Sequence, residues 1–179
     1  MKTKFVFLLL VMATFTLTSE VNAQKFQGLD KSPHDIAYYK TSRGAAPAVK
    51  VLYGRPQLKG RKMSTLAPNG KIWRTGANEA SEITFYKDVK FGGKSVKAGT
   101  YTLFTIPGEK EWTVILNKEL NVWGAFSYKE ANDAARVKVP VGSNQESIEA
   151  FSIAFKAVNK GAHLVLAWGK VRIEVPVTM

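Results

Sequence analysis

Short runs of alternating apolar and polar residues, separated by turn residues, fill most of the chain after residue 47. In the first run, Val49, Val51 and Tyr53 alternate with Lys50 and Leu52. A period of two is typical of a β-strand with one face in the core. Comparable runs, most of them alternating, cover residues 83–86, 89–96, 99–106, 112–116, 137–141, 148–155, 162–168 and 171–177. No long segment keeps a helical period, so the pattern predicts an all-β protein.

Glycine and proline pairs mark the turns between these runs. Gly92-Gly93 supplies the positive φ angles that a two-residue hairpin turn needs, and Gly169-Lys170 is the turn signal between the last two runs. About eight to ten short strands at this spacing favour an antiparallel β-sandwich of jelly-roll or immunoglobulin-like type. A β-barrel is the second choice.

The first 23 residues follow a different pattern and predict a secretory signal peptide. Lys2 and Lys4 precede an apolar run over residues 5–13, and the small residues of the segment 21–23 come before Gln24. The run is too short for a spanning helix, which needs about 20 apolar residues. The chain has no cysteine that could carry a lipid. We therefore expect a periplasmic or secreted protein with no transmembrane segment after cleavage.

The domain organisation that follows is simple. Residues 24–47, interrupted by glycine and proline, are expected to form an N-terminal arm, and residues 48–179 a single β-rich domain. An exported protein has no ATP or nicotinamide pool to draw on, so no cofactor is expected. The absence of cysteine excludes thiolate nucleophiles and cysteine-based metal centres.

The charge is strongly positive. The sequence carries +12, and the 156 residues after the predicted signal, without Lys2, Lys4 and Glu20, carry +11. This balance favours acidic partners such as anionic lipid or acidic polysaccharide. The lysines are spread along the chain, which is also what simple solubility requires. Because there is no basic stripe and no recognised binding motif, we expect no nucleic-acid partner.

The densest polar segment is Trp73–Glu79, which combines an indole, a guanidinium, a carboxamide and a carboxylate. Gly76 is expected to let the backbone bend so that these side chains converge. Arg74 could hold an acidic group bidentately, and Trp73 could stack on a sugar ring. Asn78 would complete the ligand face, and Glu79 is the best candidate for a general base.

A second polar cluster, with Arg55 and Arg61, is expected to lie near this segment. The alternative is a rigid corner in which Arg74 pairs with Glu79 and Asn78 bonds to the turn backbone. The other three tryptophans fall in or beside apolar runs and are expected in the core: Trp112, Trp123 and Trp168.

Other chemistries find little support. His34 and His163 lie far apart and have no metal-ligand spacing, so no metal site is predicted. No Gly-x-Ser-x-Gly elbow or phosphate-binding loop occurs. Glu79 and Glu82 would lie on opposite faces of a continuous strand, which argues against a carboxylate pair.

Several longer motifs resemble an exported bacterial family catalogued as domain of unknown function 2911. The resemblance covers about residues 32–178 and is carried by Tyr53-Gly54-Arg55-Pro56, Lys59-Gly60-Arg61, residues 70–80, residues 98–108, Glu111-Trp112-Thr113-Val114-Ile115 and Asn121-Val122-Trp123-Gly124-Ala125. It implies export, one compact β-rich domain and an important Trp73–Glu79 corner. It implies no catalytic residue and no activity.

The sequence thus favours a non-catalytic binding or interaction module of the cell envelope, with a glycan or an acidic envelope component as ligand. The alternative is an envelope hydrolase or lyase with Glu79 as base and Arg74 or Arg61 as charge stabiliser. A third hypothesis is electrostatic attachment to anionic lipid.

Overall fold

The computed structural model describes residues 24–179, which form two stacked antiparallel sheets. The predicted signal peptide lies outside the described residues. The strands are β1 (His34–Lys40), β2 (Pro47–Gly54), β3 (Glu82–Phe85), β4 (Val89–Phe91), β5 (Lys94–Val96), β6 (Gly99–Ile106), β7 (Glu111–Asn117), β8 (Asp133–Pro140), β9 (Gly142–Val158) and β10 (Gly161–Thr178). Helix α1 (Met63–Leu66) and one 3-10 turn (Glu130–Asn132) complete the elements.

The larger sheet has the strand order β1-β2-β3-β6-β7-β8, and the smaller sheet has the order β5-β4-β10-β9. The prediction of an all-β antiparallel sandwich is therefore confirmed. The second choice, a closed barrel, is wrong because each sheet keeps two edge strands. Within residues 24–179, no helix is long and apolar enough to cross a bilayer.

The predicted turns fall where the sequence places them. Gly92 and Gly93 have φ angles of 54° and 84° and join β4 to β5. Strand β10 doubles back on itself at Gly169, whose φ is 57°. The backbone N–H of Met179 donates to the carbonyl of Lys160 (3.1 Å), which places the two ends of β10 side by side.

Strand β1 lies inside the segment that was expected to be an irregular arm, and that expectation is wrong for His34–Lys40. Ile36 pairs with Leu52 of β2, so the strand extends the larger sheet. Tyr39 packs against Phe155 with ring centroids 6.0 Å apart. The side chains on this strand alternate between exposed and partly buried positions, and the partly buried Ala37 and Tyr39 pack against the main core.

The main core lies between the sheets and is rich in aromatic residues. It contains Trp73, Trp112, Trp168, Phe85, Phe91 and Phe151 together with aliphatic side chains of both sheets. The core positions predicted for Trp112 and Trp168 are confirmed, since both are almost fully buried. The core position predicted for Trp123 is wrong, because this indole is 58% exposed.

A second, smaller core covers the outer face of the larger sheet and positions the candidate site. Phe104 of β6 and Ile115 of β7 are its buried centre. Ile72, Val122 and Ala125, from two connecting segments, pack over that centre. The two segments are thereby held side by side on the outside of the sandwich.

Candidate functional site

The segment after Gly70 extends the larger sheet along β6, beyond the point where β3 stops pairing. The backbones of Trp73 and Thr105 exchange two hydrogen bonds, of 2.7 and 2.9 Å. The N–H of Leu103 likewise donates to the carbonyl of Ser81 (2.7 Å). The segment is therefore extended at Trp73, and neighbouring side chains point to opposite faces of the sheet.

Trp73 points into the main core. It is 6% exposed, stacks on Trp168 with centroids 5.5 Å apart and interplanar angle 11°, and meets Trp112 and Phe151 edge-on. The expectation that its indole is an open stacking surface is wrong. The physical reason is strand alternation, which sends Trp73 inward and leaves Arg74 for the outer face.

Arg74 lies half-buried on the outer face. Its Nη1 donates to the carbonyl of Asn78 (3.3 Å), and that carbonyl also accepts the backbone N–H of Gly124 (3.0 Å). Within residues 24–179 no carboxylate forms a salt bridge with Arg74. The predicted Arg74–Glu79 pair is therefore not present, and most of the guanidinium's donors are available to a ligand.

The bend in this segment has a different cause from the one expected. Thr75 and Asn78, with φ angles of 55° and 62°, adopt the left-handed conformation, whereas Gly76 does not. A Cβ on Gly76 would lie 2.9 Å from Oγ of Ser81 and 3.0 Å from the carbonyl oxygen of Gly54. Glycine is required at position 76 by close packing and not by its φ angle.

The aromatic loop, residues 118–129 between β7 and the 3-10 turn, contacts this segment. The N–H of Ala80 donates to the carbonyl of Val122 (2.9 Å), and Glu79 forms an isolated bridge with Trp123. With the Gly124 bond described above, these contacts fix the loop against the Arg74 segment. The loop presents two exposed rings, Trp123 at 58% and Phe126 at 88%.

The far end of the aromatic loop is fixed by a charged network. The Tyr128 hydroxyl donates to Asp133 (2.8 Å), and Arg136 donates to both Tyr128 and Asp133 at 2.8 and 3.0 Å. Partial burial, together with the neighbouring Asp133 carboxylate, raises the pKa of Tyr128 to about 12. The exposed rings therefore project from a loop that is anchored at both ends.

Arg74 and Phe126 line an open depression of about 280 Å³, together with Ile72, Trp73 and Ala125. A Cβ on Gly124 would meet the Phe126 ring at 2.7 Å and Nη1 of Arg74 at 3.2 Å. The ring and the guanidinium thus lie close to one point beside Gly124. The wall of the depression therefore contains the Arg74 guanidinium and the Phe126 ring, and Trp73 contributes only the small part of its side chain that is exposed.

Glu79 faces a different, smaller cavity of about 120 Å³, lined also by Leu52, Glu82 and Asn121. Its carboxylate lies 3.3 Å from Nε2 of His34, and the Glu79 side chain is 52% exposed. The structure therefore separates Glu79 from Arg74 and gives it a histidine partner that the sequence spacing did not indicate.

Asn78 lines neither cavity. Its backbone carbonyl accepts the bonds from Arg74 and Gly124 described above and so positions both residues. The pKa of Asp30 is held below its usual value first by the Ser32 backbone N–H and then by the Asn78 side chain. The predicted contact of Asn78 with a ligand stays a prediction.

Arg55 and Arg61 do not line the Arg74 depression. Arg55 forms an ion pair with Asp35 (2.9 Å) and donates to the Phe151 carbonyl (3.1 Å) and to Oγ of Ser152 (2.9 Å), which ties the two sheets together. Arg61 donates to two carbonyls of its own loop, at 2.8 and 2.9 Å. Neither guanidinium contributes to the depression, because each donates to acceptors elsewhere, and their predicted ligand contacts stay predictions.

His163 lies on the smaller sheet, where its Nδ1 is 2.7 Å from Glu174. Arg172 also donates to Glu174, at 2.9 and 2.6 Å. These contacts hold the pKa of Glu174 below its usual range, the His163 hydrogen bond contributing most. Among the described residues, no group of three or more histidine, cysteine or acidic side chains could hold a metal ion.

The sequence reasoning missed Trp123 and Phe126 as surface residues. The available signal was that both rings flank Gly124 in a segment without strand alternation. Such a segment is expected to be a loop, and loops usually run over the protein surface.

Residues 32–177 match the family described as "Protein of unknown function (DUF2911)". No curated protein and no solved structure matches the chain.

Proposed function

We propose a function from the premise that this chain belongs to the family "Protein of unknown function (DUF2911)". The protein is a non-catalytic binding module for an acidic glycan. The observation that carries the proposal is the half-buried Arg74 guanidinium, without a carboxylate partner among the described residues, beside the exposed Phe126 ring. We place this module in the cell envelope because of the predicted signal peptide, and its charge of +11 after removal of that peptide favours an acidic ligand.

Arg74 suits a carboxylate or sulfate group on the ligand. A guanidinium presents donors in a planar fork that matches an acidic group, and charge-assisted bonds of this kind are about twice as strong as neutral ones. One donor is used by the Asn78 carbonyl, which orients the group without neutralising it. The guanidinium is therefore held in place before a ligand arrives.

Phe126 and Trp123 suit the apolar faces of sugar rings. Large aromatic side chains supply contact area at a low cost in conformational entropy. The aromatic loop that carries both rings is held by the backbone bonds at Ala80 and Gly124. The depression of about 280 Å³ lies just below the ~300–1,000 Å³ typical of small-molecule sites, which favours one ring of a longer chain as its occupant.

The catalytic alternative has weaker support. A general base is expected in a pocket that excludes water and alters its pKa. The Glu79 carboxylate is half exposed, its cavity is small, and Arg74 is directed elsewhere. The geometry favours binding over hydrolysis or elimination.

The test is calorimetric titration of the protein with an oligogalacturonate, and with its methyl ester as the uncharged probe. We expect saturable binding of the acid, at least tenfold weaker binding of the ester, and at least tenfold weaker binding of the acid by Arg74→Ala. Phe126→Ala should also weaken binding. Arg61→Ala is the matched control, since it removes an exposed arginine outside the depression.

Equal losses in the Arg61→Ala and Arg74→Ala variants would contradict a site at Arg74. So would equal binding of the acid and the ester, because the guanidinium would then contribute nothing. Binding of anionic vesicles in place of the oligosaccharide, abolished by the same Arg74→Ala variant, would replace the glycan with lipid as the ligand.

The predicted signal peptide is tested separately. N-terminal sequencing of the exported protein should begin at Gln24.

A further inference from the structure

Whereas the Arg74 depression lies on the larger sheet, a second cavity lies at one end of the smaller sheet. It has a volume of about 590 Å³, within the range of small-molecule sites. It is formed where β4 begins and where β5 and β10 end, and it is lined by Asp88, Val89, Lys90, Ser95, Val96, Lys97, Lys160, Thr178 and Met179.

Strand register brings three polar side chains of this cavity together. Lys90 is directly opposite Ser95 of β5 on one side and Thr178 of β10 on the other. Residues directly opposite each other in an antiparallel sheet point to the same face. All three are exposed, and they form one row with an ammonium group between two hydroxyls.

The lining of the cavity remains positively charged after the Lys97–Asp88 ion pair is set aside. Lys97 donates to Asp88 (2.8 Å), and this pair raises the pKa of Lys97 and lowers that of Asp88. Lys90 and Lys160 form no ion pair with any residue of the range 24–179. Two ammonium groups are therefore available to an anion.

The remaining lining is apolar. Val89 and Val96 face the main core and reach the cavity with only 5% and 4% of their surface exposed, so Met179, which is partly buried, supplies most of the apolar side-chain contact. The methylene stems of the lysines add apolar surface while their charged ends stay in water. A ligand that fits both parts has one anionic group and an apolar chain.

We propose that this cavity binds a single-chain anionic amphiphile, with its carboxylate between Lys90 and Lys160 and its alkyl chain along Met179 and the methylene stems of the lining lysines. The occupant follows from charge complementarity, since the two unpaired ammonium groups stand beside apolar lining. The proposal does not depend on the glycan site, because no residue is shared between the two.

The probe is sodium decanoate below its micelle concentration, titrated into the full chain by calorimetry. Acetate tests the need for the chain, and decanol tests the need for the charge. We expect saturable decanoate binding, and at least tenfold weaker binding of both comparison compounds. The Lys90→Ala/Lys160→Ala double variant should lose at least tenfold in decanoate affinity.

Lys94→Ala is the matched control, because Lys94 is an exposed lysine of the same hairpin that does not line the cavity. Its affinity should equal that of the unmodified protein. Ser95→Trp keeps every charge and fills the cavity, so it should abolish binding with an unchanged melting temperature. Absence of saturable binding would overturn the proposal, as would equal losses in the Lys94 and Lys90/Lys160 variants or binding of acetate as tight as that of decanoate.

Discussion

Replacing Trp73 by alanine tests whether this residue belongs to the core or to a ligand face. The side chain is 6% exposed and contacts Trp112, Phe151 and Trp168. The backbone bonds that Trp73 makes with Thr105 do not involve the side chain and should survive the substitution. The change therefore isolates the contribution of the indole.

The magnitude follows from the buried area. A tryptophan buries about 200 Å² of surface, and at about 25 cal/mol per Å² its removal costs about 5 kcal/mol. Measured losses for buried tryptophan or phenylalanine replaced by alanine are about 3–5 kcal/mol, because the neighbours relax only in part around the cavity. We expect the free energy of unfolding to fall by an amount in that range.

The assay is urea unfolding followed by tryptophan fluorescence and circular dichroism. Trp123→Ala is the matched control, because it removes the same side chain from a position that is 58% exposed. Surface substitutions of this kind usually change stability by no more than about 0.5 kcal/mol. The two variants should therefore differ by several kilocalories per mole.

A loss below about 1.5 kcal/mol for Trp73→Ala would refute the assignment of this indole to the core. A loss for Trp123→Ala as large as that for Trp73→Ala would refute the assignment of Trp123 to the surface. The second result would also remove the aromatic surface on which the proposed glycan contact depends.

Three further predictions concern packing and ionisation. Gly54→Ala should lower the free energy of unfolding by about 2 kcal/mol, because a Cβ would overlap the Ala77 carbonyl. Urea titration measures this loss, and an unchanged midpoint of urea unfolding would contradict the packing argument. Glu174→Gln should cost about 1 kcal/mol at neutral pH, because a carboxylate with a lowered folded-state pKa stabilises the protein while it is ionised. The difference from the unmodified protein should start to shrink below about pH 4.5 and disappear once pH has fallen through the lower folded-state pKa; thermal melts across this range measure it, and a pH-independent difference would refute it. Tyr128 should ionise near pH 12 in an absorbance titration, after the exposed tyrosines, and Tyr128→Phe should remove that step and leave the step of Tyr53, whose pKa is also raised by burial. Because the folded-state pKa of Tyr128 is raised, its contribution to stability is present below about pH 10 and is lost as pH rises toward 12.

The sandwich could be predicted from the sequence because strand alternation and turn glycines are local signals. The run at Val49 and the turn at Gly92-Gly93 each specify their own structure without reference to the rest of the chain. Strand β1 was missed because its glycine- and proline-containing neighbourhood resembles a loop. Its strand character comes from pairing with β2, which the local pattern does not contain.

The candidate site was less predictable, because exposure depends on tertiary packing. Trp73 and Trp123 both follow an aliphatic residue and precede a turn, yet one is buried and the other is exposed. The difference arises because Trp73 pairs with β6 at the sheet centre, whereas Trp123 lies in a loop above the outer face. The aromatic ring that lines the depression with Arg74 is mainly that of Phe126, whereas the sequence suggested Trp73.

Strand β4 has a consequence for how the chain acquires its structure. Its two partners in the smaller sheet differ in how far away they lie along the chain: β5 follows it directly, whereas Val177 and Thr178 of β10 are far along the chain from Phe91 and Lys90. Contacts that distant in sequence form slowly, because a long loop must close first. The β4–β5 hairpin can therefore form early, but the smaller sheet is completed only when β10 has reached it.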